Sequence, residues 1–435
     1  MALKRGSKKR YYGKKQGKGW KKRFFKLSLQ KLSCISTQAK LHLGSSEAAS
    51  RQKRSCISAK AKLHLGKSQA AYSTKAKQHI GNYRYKKMNV TKKHIKKTCM
   101  VLALLASIII SACGSGESDN SEVLFSPSCY PYAVLHNGKY YVLRQTDNTT
   151  RIDLLCTDDI RDVEKGTTKT VWMPTEDQKA NKNIWSPELH RISNKWYIYF
   201  EADDGNTDNH QLYVLENTSD DPMQGQFKLK GVLKTNEEWN YGIHPSTFVV
   251  GKRQYLVWSG WPKRRSETET QCIYIAGMKN PWTVNTRRVK ISTPTYEWER
   301  QWINPDGTRS AYPIYVNENP QPIVSKDGKK VAIYYSASGC WTVYSRLGAV
   351  YANTNANLLD STSWHKAKEP VMINNENDSL KGLTDICVVE NKNGGNPFLL
   401  FEAKYYNKAD GHYVKQIRLK NIKMGDDGLP MFKDR

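Results

Sequence analysis

One short pattern occurs five times between residue 130 and the C-terminus, and it restricts the choice of fold more than any other feature. Each copy has an opening with polar residues, an apolar run of β type, a tight turn and a second run rich in aromatic residues. Most of the turns contain Gly, which accepts the positive φ that hairpin turns need, so each copy predicts a β-hairpin. The five openings are Tyr130-Pro131, Ser186-Pro187, His244-Pro245, Asn319-Pro320 and Thr384-Asp385.

The spacing of the hairpins predicts how they assemble. Their turns recur at intervals of roughly 55 to 75 residues, which is enough for one four-stranded antiparallel sheet each. A two-sheet sandwich would not explain why an X-Pro opening recurs in four of the five copies. We therefore predict an all-β, five-bladed β-propeller over residues 125–435. In this fold the openings start the innermost strands and converge on one mouth of the central channel.

Positive charge is concentrated in the N-terminal part of the chain. Residues 1–112 hold 29 of the 69 Lys and Arg residues but only one of the 40 acids. The other 323 residues therefore hold 40 basic and 39 acidic side chains. Because the predicted propeller is electrically balanced, charge gives no reason to expect a nucleic-acid partner for it.

Residues 88–113 resemble the signal of a bacterial lipoprotein. Basic residues precede an apolar run that ends in Ile110-Ser111-Ala112-Cys113, which is similar to a lipobox. We predict a signal peptide over 88–112, lipidation of Cys113, a tether over 113–124, and export to the outer membrane of a Gram-negative bacterium. An uncut membrane anchor is the alternative. The repetitive residues 1–87 are interpreted as upstream sequence outside the native coding region, with a basic nucleic-acid-binding tail as the other reading.

Two copies of the repeat carry longer motifs. The second reads I-W-S-P-E-L-H from Ile184 and K-W-Y-I-Y-F from Lys195, and the fourth reads E-N-P from Glu318 and Y-S-A-S-G from Tyr335. These motifs resemble the second and fourth blades of the family 43 glycoside hydrolases, five-bladed propellers that attack arabinose- and xylose-containing chains. The resemblance covers about residues 125–432.

The resemblance implies an inverting mechanism, in which one carboxyl group protonates the leaving oxygen and another activates water on the opposite face of the sugar. Glu318 matches the family's general acid, whereas the family's basic Asp falls at Tyr130 and its pKa-tuning Asp falls at His244. Tyrosine, with a pKa near 10, is a poor base at neutral pH, while histidine titrates close to neutrality. We therefore predict Glu318 and His244 as the catalytic residues.

Six further side chains are predicted to bind substrate, because their segments build the mouth and aromatic faces stack on sugar rings. They are Tyr130, Trp185, Glu188, Trp261, Trp341 and Asp385. The chemistry requires no cofactor. The resemblance raises Ca²⁺ on the propeller axis as an option, and Thr384 at the family's ion-holding His weakens it. Two functions stay open: a hydrolase of polysaccharide or oligosaccharide with altered acid–base residues, and a glycan-binding lipoprotein without activity.

Overall fold

The computed structural model describes residues 121–146, 149–235, 241–263, 269–303, 309–372 and 380–432. Cys113, the predicted signal peptide and most of the predicted tether lie outside these residues. The described part contains no helix long and apolar enough to cross a membrane. Its helices are short 3-10 turns, at Ile160–Lys165, Thr207–Asn209, Glu297–Glu299 and Ser361–Ser363.

The described strands build five antiparallel blades, which confirms the predicted propeller. Blade I comprises β2 (Cys129–His136), β3 (Lys139–Gln145), β4 (Ile152–Thr157) and β5 (Thr167–Trp172). Blade II comprises β6 (Lys182–Ile192), β7 (Lys195–Asp203), β8 (Gln211–Asn217) and β9 (Lys228–Val232). The first strand of each blade is the innermost one, as the contacts between first strands of neighbouring blades around the axis show.

Blades III and IV share one continuous sheet of ten strands. Blade III comprises β10 (Ile243–Val250), β11 (Arg253–Gly260), β12 (Glu269–Asn280), β13 (Thr283–Val284) and β14 (Val289–Ser292). Blade IV comprises β16 (Arg309–Val324), β17 (Lys330–Ala337), β18 (Arg346–Asn353) and β19 (His365–Lys366), with β15 (Arg300–Ile303) paired to β16. The two blades join where β12 and β16 pair in parallel.

Blade V closes the ring with a strand from the other end of the propeller sequence. It comprises β20 (Leu380–Val389), β21 (Phe398–Asn407), β22 (His412–Asn421) and, outermost, β1 (Glu122–Phe125). β1 pairs antiparallel with β22 and buries Leu124 and Phe125. β1 therefore begins inside the segment predicted to be tether. It covers the outer edge of blade V, which would otherwise be unpaired.

The hydrophobic core lies between the blades as five separate layers of buried side chains. One layer packs blade I on blade II around Trp196 and Phe200, and another packs blade V on blade I around Phe398 and Leu400. The other three layers fill the remaining contacts between neighbours. Because both faces of each sheet are buried against neighbouring blades, the central strands carry apolar side chains on both faces. In the sequence they are therefore continuous apolar and aromatic runs.

Candidate active site

The five repeated openings form a ring of strained residues at one end of the axis. Each has a positive φ, although none is glycine: Tyr130 (51°), Ser186 (44°), His244 (53°), Asn319 (52°) and Asp385 (50°). At each of them the pairing between the first and second strand of the blade shifts register. Such backbone costs about 1–3 kcal/mol per residue and is concentrated at functional sites. The ring therefore marks the mouth of the channel as the candidate site.

Two further rings of side chains surround the mouth. The residue before each positive-φ position is Cys129, Trp185, Ile243, Glu318 or Thr384. Each pairs across the blade with a residue of the second strand, namely Gln145, Glu201, Ser259, Ser336 or Glu402. The repeat thus places three carboxyl groups, those of Glu201, Glu318 and Glu402, at one level of the propeller, and all three are buried.

Glu318 is held by the loop that follows β17. Its Oε1 accepts a hydrogen bond of 2.5 Å from the backbone N–H of Cys340, and the side chain is 1% exposed. The Cys340 sulfur lies 3.2 Å from the Tyr130 hydroxyl. Glu318 and Tyr130 are therefore linked through one residue, and the carboxyl that matches the family's general acid has a fixed orientation.

By sequence resemblance Tyr130 falls where the family has its base, and the structure gives this tyrosine no basic character. Burial raises its pKa well above 10, and the nearby groups of Cys340, Asp385 and Glu318 act in the same direction. Its ring packs against the His244 imidazole, with centroids 5.0 Å apart and planes tilted by 49°. Tyr130, His244 and Glu318 thus surround one mouth, as the repeat predicts.

His244 and Glu201 form a buried pair whose side chains are not hydrogen-bonded to each other. His244 Nε2 lies 3.9 Å from Glu201 Oε1, and the two side chains are 2% and 0% exposed. Neither imidazole nitrogen has a hydrogen-bond partner among the described residues, whereas the Glu201 carboxyl is stabilised by the Ser186 hydroxyl and the His244 backbone N–H. Burial lowers the pKa of His244 to about 3 and raises the pKa of Glu201 to about 8. His244 therefore does not titrate close to neutrality, the property on which its prediction as a catalytic residue rested. At neutral pH its imidazole is uncharged, and the carboxyl group of Glu201 carries the proton.

This pair predicts a pH dependence of stability. The folded pKa of Glu201 is about 8 against an ordinary 4.5, so between these values the folded state binds more protons and stability falls as pH rises. The folded pKa of His244 is about 3 against 6.5, so stability rises with pH across that window. The two effects oppose each other between pH 4.5 and pH 6.5, which leaves a rise in stability from pH 3 to 4.5 and a decline from pH 6.5 to 8.

We expect Glu201→Gln to remove this decline, which is at most about 1.4 kcal/mol per pH unit. Urea unfolding of both proteins between pH 6.5 and pH 8 measures the difference, and groups common to both proteins cancel. If the free energy of unfolding changed with pH equally in the two proteins, Glu201 would not hold a proton in the folded state.

Asp385 and Glu402 complete the polar side of the mouth in blade V. Asp385 Oδ1 accepts hydrogen bonds from Asn319 Nδ2 at 2.7 Å and from Ser336 Oγ at 2.6 Å. Burial raises the pKa of Glu402, while Lys404 at 3.0 Å and Lys415 at 3.2 Å oppose that rise. Blade V therefore presents a charge-compensated cluster beside Tyr130, not an isolated carboxylate.

Glu188 lies deeper, and both of its oxygens are engaged. Oε1 accepts a short hydrogen bond from Gln321 Nε2, and Oε2 lies 3.0 Å from His190 Nε2. The adjoining cavity has a volume of about 10 Å³, which matches a single water molecule and no sugar. The described residues contain no group of three His, Cys, Asp or Glu side chains that could hold a metal ion. Axial Ca²⁺ therefore stays a prediction.

The three predicted tryptophans differ in accessibility. Trp341 is 48% exposed and directly follows Cys340, whose backbone N–H binds Glu318. Trp185 is half-buried and packs against His210, with ring centroids 4.3 Å apart and planes tilted by 34°. Trp261 is 2% exposed, and Tyr241 stacks on its ring at 3.7 Å. Trp341 and Trp185 are thus the accessible platforms, whereas Trp261 is a packing residue whose ring face is covered.

The comparisons with known proteins agree with this geometry. The model of the glycosyl hydrolases family 43 matches residues 128–430, and the chain therefore belongs to that family. It is 29% identical to alpha-L-arabinofuranosidase B of Pyricularia oryzae and 28% identical to an extracellular exo-alpha-(1->5)-L-arabinofuranosidase of Streptomyces avermitilis. These alignments cover 68% and 69% of this chain but only 59% and 60% of the relatives.

Solved structures of the family share the architecture. An alpha-L-arabinofuranosidase from Lactobacillus brevis superposes with a TM-score of 0.63 at 25% identity, over 72% of this chain and 96% of that one. A thermostable family-43 glycoside hydrolase superposes with a TM-score of 0.56 at 16% identity, over 72% and 94% of the two chains. The chain spans about three-fifths of the length of the two curated relatives named above, so their reaction is not carried over to it.

Proposed function

We propose that this chain is a glycoside hydrolase that acts on arabinose- or xylose-containing oligosaccharides or polysaccharides. The observation that carries the proposal is Glu318, which stands at the family's general-acid position, at the mouth, and is oriented by the Cys340 backbone N–H. The arabinofuranosidases among the relatives support the substrate class. The test is release of reducing sugar from a panel of arabinan, xylan and arabinoxylan fragments.

In the proposed reaction Glu318 gives its proton to the glycosidic oxygen as the bond from that oxygen to the anomeric carbon breaks. Water forms the new bond to that carbon from the opposite face, and His244 accepts the proton that the water releases. The anomeric configuration is therefore inverted. Glu201, 3.9 Å from His244, carries its own proton at neutral pH, so it presents a neutral carboxyl group to the imidazole.

A second function is favoured by one specific feature, the phenol of Tyr130 where the family has a carboxylate. With its pKa raised well above 10, Tyr130 offers a hydrogen bond and a ring face but no base. A glycan-binding protein without turnover would keep the aromatic mouth and lose the acid–base pair. Binding without sugar release by the unmodified protein would support this alternative, whereas turnover would exclude it.

We also propose that the protein is exported and anchored through a lipid on Cys113. The support is the order of basic residues, apolar run, small residues and cysteine over residues 88–113. In cells fed a radiolabelled fatty acid, the wild type is expected to take up label and to sediment with membranes, and Cys113→Ser is expected to do neither. Label on both proteins would contradict the assignment. The acidic and polar residues after Cys113 favour the outer membrane.

A further inference from the structure

The hairpin of blade V extends beyond the mouth. β21 and β22 remain paired as far as Asn407 and His412, five residues past Glu402, which stands at the level of the mouth. Side chains alternate between the two faces of a strand, so Glu402, Lys404 and Tyr406 share one face. Phe398 and Leu400, earlier on that same face, pack against blade I. In the part of the hairpin that extends beyond the mouth, the face that carries Tyr406 is therefore turned towards blade I.

An exposed aromatic pair lies at the outer end of this face. Tyr406 and Tyr413 are cross-strand partners, 40% and 41% exposed, with ring centroids 5.1 Å apart and planes 60° apart. Next to them on the inner side is the cross-strand pair of Lys404 and Lys415. Lys404 is buried and Lys415 is partly exposed, so one accessible ammonium group lies between the mouth and the exposed ring faces. This suits a carbohydrate, which is apolar on its ring faces and polar on its edges.

A cleft of about 650 Å³ joins this face to the mouth. Blade V lines it with residues 412–415, and blade I lines it with Cys129, Gln145, Thr146 and Thr149, among others. Its inner end is at Lys415, whose Nζ lies 5.4 Å above the ring centre of Tyr130. The floor is fixed, because the Ser128 N–H donates a hydrogen bond of 3.1 Å to the Lys415 carbonyl.

We propose that the cleft between blades I and V is a second sugar subsite, in which Tyr413, supported by the ring of Tyr406, stacks on a residue of the arabinose or xylose chain beyond the one held at the mouth. This inference rests on the proposed substrate class and names the path that the chain takes. The path leaves the mouth past Lys415 and runs outwards along β22. Lys415 and Thr149 stand at the sides of the cleft, where they meet sugar hydroxyls.

The test compares the two faces of one strand. Tyr405, 37% exposed, follows Ala403 on the opposite face, towards blade IV, so Tyr405→Ala is the matched control for the double variant Tyr406→Ala/Tyr413→Ala. Titration calorimetry with arabinopentaose and xylopentaose, and with the corresponding disaccharides, measures the affinities of the full chain. We expect the double variant to bind the preferred pentasaccharide about tenfold more weakly and the disaccharide equally well. Tyr405→Ala is expected to change neither affinity.

Every outcome decides the subsite separately from the reaction. A pentasaccharide that binds but is not cleaved leaves the subsite in place and contradicts the hydrolase. Cleavage with an unchanged pentasaccharide affinity in the double variant overturns the subsite alone. An equal loss of pentasaccharide affinity in Tyr405→Ala and in the double variant also overturns the subsite. So does a failure of the wild type to bind either pentasaccharide.

Discussion

Replacement of Glu318 by glutamine is expected to lower the rate of sugar release by about 10²–10⁴-fold, the usual contribution of a general acid. The amide is nearly isosteric, and its oxygen can still accept the hydrogen bond from the Cys340 N–H, so the fold and the binding of oligosaccharide should be kept. Initial rates on arabino- and xylo-oligosaccharides, together with calorimetric affinities, separate the two effects.

Glu297→Gln is the control for this substitution, because it makes the same chemical change away from the mouth. The Glu297 side chain is exposed on the short helix before β15. It should leave the rate unchanged. An unaltered rate in Glu318→Gln, with both variants folded, would show that the carboxyl group at the mouth is not the proton donor.

Replacement of His244 by asparagine should also lower turnover by about 10²–10⁴-fold, because an amide cannot take the proton from water. The thermal midpoint is expected to change little, for two reasons. Neither imidazole nitrogen has a hydrogen-bond partner among the described residues, so none is lost. Asparagine also tolerates the positive φ of 53° at this position. Function and stability should therefore separate at this residue.

His365→Asn, on the exposed strand β19, serves as the matched control. If His244→Asn retained full turnover, the proton acceptor would have to be another group of the mouth, and Glu201 and Asp385 would be the next residues to replace. A large fall in the thermal midpoint would instead assign His244 to the packing around Tyr130.

The fold could be predicted because each blade repeats its own local signal. The X-Pro openings identified the inner strands but not always their starts, since in blades II and IV they lie inside β6 and β16, where the residue before proline has a positive φ. Closure of blade V by β1 could not be predicted, because Glu122–Phe125 is too short to show a pattern and its partner strand lies about 300 residues away.

The site could be predicted only in part. The openings located Tyr130, His244, Glu318 and Asp385, but Glu201 was missed because it lies in a second strand, where an acid reads as a solvent-facing residue. A signal was present in the sequence: Phe200-Glu201-Ala202 in blade II repeats as Phe401-Glu402-Ala403 in blade V. The accessibility of Trp261 depends on Tyr241, a contact that no spacing rule supplies.

The contacts of Lys415 could not be predicted from the sequence either. It lies in the third strand of blade V, yet its ammonium group reaches Glu402 of the second strand and the ring of Tyr130 in blade I. Such contacts depend on how neighbouring blades dock, which follows from packing of the whole ring. Sequence repeats therefore identify the positions around the axis, and only the assembled structure identifies their partners.

The most direct measurement is a proton NMR time course of the unmodified protein with arabino- and xylo-oligosaccharides, recorded with the binding of the same sugars. We predict that at least one of these sugars is cleaved and that the newly formed reducing end first appears with inverted anomeric configuration. Saturable binding without any cleaved bond would contradict it and would leave a propeller that only holds its glycan.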